Sequence, residues 1–350
     1  MTEPSFSPPS PLRASLPLLR GVSRSFYLSI RLLPRALRAP IAVGYLLARA
    51  TDTVADTTAL PPAQRVALLH ALLAAIESPT GDLAAFTHSL ADFSAPQTDP
   101  HEQALMRALP QCLRMLQQLS APDQASVRWV LAPIGQGQLL DLQRFGPGLH
   151  ALPNEQALTD YTWQVAGCVG AFWTEVCERH LPDFATLPSA TLRDLGQHYG
   201  MGLQRLNILR DAGADLAAGR CYLPQDRLAA LQVSPAQLAQ AVASGDTATL
   251  AQVAPLFNTY LDMTQAQLQD GLDYSCALRS RRLRVASALP ALIGARTVAL
   301  LRQAGPQAWR QRVKMPRTEI SALLWRLFWQ GASPAALRRE FTRLSAKAAP

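Results

Sequence analysis

Apolar residues recur at spacings of three and four along almost the whole chain. The pattern runs through PRALRAPIAVGYLLARATDTVAD, PPAQRVALLHALLAAI, HEQALMRALPQCLRMLQQL and PDQASVRWVLAPIGQGQLLDLQRF. It continues through NEQALTDYTWQVAGCVGAFWTEVCERH, SATLRDLGQHYGMGLQRLNILRDAGADLAAG, AQVAPLFNTYLDMTQAQLQDGLDYSCALRS and PRTEISALLWRLFWQGASPAALRREFTRL. On an α-helix these spacings gather apolar side chains on one face. Short breaks such as ESPTGD, FSAPQTDP and LPDFATLPS separate the segments, and the alternation that marks strands is nearly absent. The expectation is an all-α fold of roughly ten or more helices. They would form one domain over residues 21–350, after a loose Pro- and Ser-rich lead-in over residues 1–20.

Two polar stripes interrupt this apolar periodicity. Tyr45, Arg49, Asp52 and Asp56 share a helix face, while their neighbours Ala42, Val43, Leu46, Leu47, Ala50 and Val54 belong to a core. Gln204, Asn207, Asp211 and Asp215 form a second stripe beside Leu203, Leu206, Ile208 and Leu209. A single such aspartate pair is most often a solvated helix face, because exposed like charges at this spacing cost only about 0.2–0.5 kcal/mol. Two pairs in segments this apolar point elsewhere. Carboxylates at i,i+4 repel unless a cation sits between them. Mg2+ prefers hard oxygen donors, commonly one or two carboxylates completed by substrate phosphates. Two facing helices that each offer an aspartate pair would hold several Mg2+ ions around a diphosphate.

Charge supports an anionic partner. Lys and Arg total 33 against 25 Asp and Glu, giving a net charge of +8, which favours phosphorylated substrates or acidic lipid. Aromatic residues are 7 % of the chain and are not interleaved with the arginines, so a nucleic-acid surface is not expected. The five cysteines, Cys112, Cys168, Cys177, Cys221 and Cys276, contain no CxxC and read as buried thiols in a reducing compartment. No HExxH is present, and the N-terminus has no apolar core of a signal peptide. No run reaches the ~18 uninterrupted apolar residues of a span. VASALPALIGA, between Arg284 and Arg296, comes nearest. The expectation is a cytoplasmic protein, at most peripheral at the inner membrane surface.

The chain resembles the squalene/phytoene synthase family of head-to-head prenyl diphosphate synthases. The matching pieces are SRSFYLSIRLLPRALR (23–38), YLLARATDTVAD (45–56), GQLLDLQRF (137–145), YTWQVAGCVGAFW (161–173) and GLQRLNILRDAGADLAAGRCYLPQD (202–226). The resemblance implies an isoprenoid-synthase helical bundle around a central apolar cavity, with aspartate motifs at its mouth. It implies that Asp52 and Asp56 form one metal motif and Asp211 and Asp215 the other, with Asn207 and Gln204 on the turns before it. By the same resemblance Arg49 clamps a diphosphate, and Ser23, Arg24 and Phe26 belong to a loop over one substrate. Asp141 helps hold the second diphosphate, and Tyr161 stands near the reacting carbons. Val165, Ala166, Gly167 and Gly170 leave room for a prenyl chain, and Arg296 contacts a diphosphate. Two positions depart from the family pattern: Ala55 and Ala214 stand where acids are usual.

The Asp52-Thr53 pair resembles the pattern common among squalene synthases, whereas NILRD and YLPQD in the second-motif region resemble phytoene synthases or bacterial members in general; the first motif leads the reading. The reading is therefore condensation of two farnesyl diphosphates to presqualene diphosphate and its reduction by NADPH to squalene, with Mg2+ as cofactor. A non-reducing phytoene, dehydrosqualene or presqualene diphosphate synthase is the alternative, and an inactive membrane-associated scaffold a third. No strand–GxGxxG–helix unit is present for NADPH. Arg210, Arg220 and the run RSRRLR at 279–284 are the basic candidates, that run reading equally as a solvated or lipid-facing surface.

Overall fold

The computed structural model describes residues 18–22, 30, 33–57, 60–78, 90, 99–329 and 332–346. The chain divides into two compact units, Met1–Leu142 and Gln143–Pro350. The only strands among the described residues are His150–Ala151 (β1) and Arg220–Cys221 (β2), which pair in parallel. The helical periodicity therefore translates into an all-α structure. The lead-in read over 1–20 falls largely outside the described residues.

The first unit contains α1 (Arg35–Asp56), α2 (Pro62–Glu77), α3 (Pro100–Arg107), α4 (Leu109–Gln117) and most of α5 (Ala121–Arg144). α1 buries Leu37, Ile41, Val43, Leu46, Leu47, Ala50 and Val54. α3 starts where Asp99 accepts from the His101 amide at 2.7 Å and the Glu102 amide at 3.3 Å, with Pro100 in the first turn. That cap satisfies two amides that the helix cannot, and proline's missing N–H costs nothing there.

The second unit contains α6 (Glu155–Thr162), a π-helical turn (Trp163–Gly167), α7 (Cys168–His180) and α8 (Ser189–Ala217). It continues through α9 (Gln225–Ala230), α10 (Pro235–Ser244), α11 (Thr247–Ala277), α12 (Arg281–Ala304), a 3-10 turn (Gly305–Trp309), α13 (Arg317–Trp329) and α14 (Pro334–Ala346). α8, α11 and α12 supply the centre of its core through Leu206, Leu209, Leu261, Leu268, Leu272, Leu292, Ala295 and Val298. A side chain on Gly170 would come within 1.9 Å of the Gly196 carbonyl oxygen, so glycine there lets α7 and α8 meet backbone to backbone.

The segment Arg281–Trp309, which holds the VASALPALIGA run, is long and apolar enough, by length and average composition, to cross a membrane. More than half of its most apolar stretch is buried inside the protein, as expected for the core helix of a bundle. The cysteines form no disulfide. Burial pushes the thiols of Cys112 and Cys168 up to about 12 and that of Cys221 to about 11, so they behave as small apolar side chains.

Candidate active site

In the first unit, α1 places Arg49, Asp52 and Asp56 on successive turns. The Arg49 guanidinium donates to the Asp52 carboxylate at 2.6 Å and also to Glu102 of α3. Asp56 is exposed, and Tyr45 is half-buried on the same stripe. Burial is the main cause that pushes the Asp52 carboxyl up to about 6, and the Asp56 carboxylate adds to it, while Arg49 pulls the other way. The Asp52 side chain is nevertheless 43 % exposed. Its carboxyl is thus enclosed by protein on one side and open on the other. For Arg49, burial opposes the charge, but Asp52 and Glu102 outweigh it and raise the guanidinium above its ordinary value.

Glu102 is the residue that sequence reasoning missed here. Its only sequence signal is its place in the first turn of a helix opened by Asp99-Pro100, far from the aspartate pair in the chain. It gives Arg49 two carboxylate partners. Arg65 of α2 donates to the Ala55 carbonyl at 2.7 Å, satisfying a carbonyl of the last turn of α1. Asp141 is half-buried near the C-terminal end of α5. Ser23, Arg24 and Phe26 lie outside the described residues.

In the second unit, α8 presents Gln204, Asn207, Asp211 and Asp215. The Asn207 amide donates to Gln204 at 3.5 Å. Asp211 lies between Arg210, which donates at 2.5 Å, and Arg312, which donates at 2.9 Å. Burial alone would raise the Asp211 carboxyl, but Arg210 and Arg312 outweigh it and hold it below the usual carboxylate range. Arg220, fixed by the β1–β2 pairing, donates to Asp215 at 3.2 Å. A cleft of about 630 Å³ opens beside this pair, lined by Arg210, Asp211, Asp215, Arg310 and Arg312 among others.

Arg310 and Arg312 are the second set that sequence reasoning missed. A side chain on Gly213 would come within 1.8 Å of the Trp309 carbonyl oxygen. The glycine between the two aspartates therefore admits the 3-10 turn and brings the arginines after it to Asp211. The basic candidates Arg210 and Arg220 are drawn into the same aspartate motif.

Tyr161 is buried in the last turn of α6 and stacks on Tyr222, ring centroids 5.1 Å apart at 24°. Its hydroxyl donates to that of Tyr222 at 3.4 Å, and Tyr222 meets Phe145 edge-on at 5.1 Å. The π-helical turn follows immediately and carries Val165, Ala166 and Gly167. Such turns recur at functional sites because they redirect side chains within a helix. Val165 and Ala166 are half-buried, and Gly167 is buried. The room expected at Gly170 is filled by α8.

Arg296 corrects another expectation. Its side chain is 0 % exposed and donates to Glu319 of α13 at 2.8 and 3.1 Å. It ties α12 to α13 from within the core, because a buried guanidinium needs its charge matched and its donors used. It is not positioned as an open diphosphate contact.

Among the described residues, no three His, Cys, Asp or Glu side chains converge on one point. Each motif instead offers a pair of aspartates, and the second adds amide oxygens from Asn207 and Gln204. This donor set fits Mg2+, which takes hard oxygens and completes its sphere with water and phosphate. Asp56 also repels the Asp52 carboxylate, a cost that a bound cation would relieve.

The profile of the family described as squalene/phytoene synthase matches residues 19–319. A squalene synthase of Botryococcus braunii is 30 % identical over 220 residues, covering 60 % of this chain and 42 % of that protein. A phytoene synthase of Mycobacterium bovis is 30 % identical over 217 residues, covering 62 % of this chain and 58 % of that protein. The chain thus spans about half the length of these two relatives. A presqualene diphosphate synthase of Zymomonas mobilis is 26 % identical over 310 residues, covering 87 % of this chain and 88 % of that protein. Among solved structures, a TcSQS complex with the ligand BPH1237 shares the fold at a TM-score of 0.75 and 20 % identity, covering 97 % of this chain and 92 % of that one. The squalene synthase HpnC of Alicyclobacillus acidocaldarius does so at a TM-score of 0.54 and 20 % identity, covering 85 % and 94 %.

Proposed function

The chain belongs to the squalene/phytoene synthase family, and on that premise we propose that it condenses two farnesyl diphosphates head to head and reduces the product to squalene. In the first half, one diphosphate and one proton leave as two C15 chains join to presqualene diphosphate. In the second, a hydride from NADPH takes the place of the remaining diphosphate. The observation that carries the proposal is Asp211 held between Arg210 and Arg312 at the edge of an open cleft, with Asp215 one turn on. The Asp52-Thr53 pair supports the squalene branch.

An allylic diphosphate departs when its growing negative charge is neutralised, and no covalent nucleophile is required. In this reading Arg49 and the arginines of the cleft, Arg210, Arg310 and Arg312, bind phosphate oxygens. Each guanidinium offers paired N–H donors that match them in geometry. Asp52 and Asp56 in the first unit, and Asn207, Asp211 and Asp215 in the second, would each hold Mg2+, which would supply further charge neutralisation at a leaving diphosphate. Tyr161 and Tyr222 present stacked aromatic faces, which attract cationic carbon without reacting with it. No residue is assigned to the nicotinamide: the basic candidates Arg210 and Arg220 both lie in the second aspartate motif, on the diphosphate side of this reading.

A second reading stops at presqualene diphosphate. It is favoured by the Zymomonas mobilis presqualene diphosphate synthase, which matches nearly end to end. Incubation of the purified protein with farnesyl diphosphate and Mg2+, with and without NADPH, separates the two by mass analysis of the products. Squalene only with NADPH is the expected result. Presqualene diphosphate in both tubes selects the second reading. No product, even with geranylgeranyl diphosphate, leaves the scaffold.

A further inference from the structure

α13 is amphipathic in an unusual sense. It buries Leu323 and Leu327 in the core of its unit and exposes Leu324 (45 %), Trp325 (63 %) and Trp329 (72 %). The two indole rings stack on each other, centroids 5.9 Å apart at 12°. Exposed indoles concentrated on one helix turn need an explanation that a scattered leucine does not.

The surroundings of this patch are basic. Arg281 and Arg282 are exposed in the first turn of α12, and Arg279 just before it is exposed and paired with the exposed Asp183 at 3.2 Å. Arg284, one turn on from Arg281, donates to the Ala332 carbonyl at 3.2 Å. Ala332 lies three residues beyond Trp329, a reach of at most about 11 Å. Arg284 thus links the first turn of α12 to Ala332, three positions past the indole pair. The only acid of α13, Glu319, is 13 % exposed and is bonded to Arg296, so the exposed face of the helix itself carries no carboxylate. The two indoles and Leu324 present roughly 500 Å² at most, taking ~150–250 Å² for each buried aromatic. A stable dimer needs about 800 Å² from each partner. The area is too small for a second copy, but suited to the interface of a bilayer, where indoles settle at headgroup depth and arginines meet anionic lipid.

We propose that the Trp325–Trp329 face of α13, together with the arginines at the start of α12, docks the protein onto an anionic lipid surface. The inference is independent of the proposed chemistry, and its test requires no turnover. Purified full-length protein is sedimented with vesicles of phosphatidylcholine, with and without phosphatidylglycerol. It is expected to pellet with the phosphatidylglycerol vesicles. The Trp325→Ser/Trp329→Ser protein should bind them about tenfold more weakly, with an unchanged melting curve. The Arg281→Glu/Arg282→Glu protein should lose the preference for phosphatidylglycerol. Equal binding by parent and tryptophan variant, or equal binding of the parent to both vesicle types, would overturn the proposal. A tryptophan variant that turns a dimer into a monomer in sedimentation velocity would also overturn it and give the face to a second copy.

Discussion

At Asp52 the folded protein holds a proton more tightly than the unfolded chain, about 6 against an ordinary 3.8. The stabilisation from this group is therefore present when it is protonated and is lost as pH rises through about 6. Without divalent cations, the melting temperature should fall between roughly pH 4 and pH 6, and Asp52→Asn should flatten that slope. Mg2+ should lower the Asp52 value and restore stability above pH 6, readable by scanning fluorimetry across pH. The same repulsion sets the expectation for Asp56→Ala. Removing one of two like charges at i,i+4 should raise the cation-free melting temperature by about 1 °C while abolishing turnover. A lower melting temperature for Asp56→Ala would show that the pair is held by something other than a missing cation. The aspartates themselves were legible in the sequence because helical spacing singles out acids in an apolar segment. Glu102 was not, because its partnership with Arg49 spans 53 positions and no periodicity links the two.

Helices bring distant residues together at points that periodicity does not mark. Gly213 reads only as a spacer between Asp211 and Asp215, yet it is where the Trp309 carbonyl meets α8. Gly213→Ala should force the 3-10 turn away, at about 1–3 kcal/mol of stability. It should also weaken diphosphate binding, because Arg312 would leave Asp211. Isothermal titration with inorganic pyrophosphate and a melting curve would read both effects. Arg296 shows the converse. The family resemblance makes it a candidate diphosphate contact, whereas its fold position makes it a cross-brace from α12 to α13. Glu319→Ala should leave a buried guanidinium without its carboxylate and destabilise the protein by about 3–5 kcal/mol, as read by denaturant unfolding. If Arg296 were instead a diphosphate contact, Glu319→Ala would alter pyrophosphate affinity and leave the unfolding midpoint in place.

For the molecule as a whole, helical periodicity was enough to place the core because nearly every segment buries one face. Arg281–Trp309 has a span-like composition because more than half of its most apolar stretch is buried inside the protein, a tertiary fact. Charge is the other property that belongs to the whole chain. Of its 33 basic residues all but Lys314 and Lys347 are arginine, so the +8 balance changes little at alkaline pH. Arg310 and Arg312 are exposed beside the cleft, and a positive field there should raise the encounter rate with a diphosphate anion. Raising the salt from about 0.1 M to about 1 M shortens the screening length from roughly 10 Å to 3 Å. Over that range kcat/KM for the diphosphate substrate should fall severalfold, while kcat, set after binding by contacts too short to screen, stays nearly constant. Arg310→Gln should lower kcat/KM at low salt and approach the parent at high salt. A fall in kcat itself with salt would place the charge effect in the chemical step or product release and not in capture of the substrate.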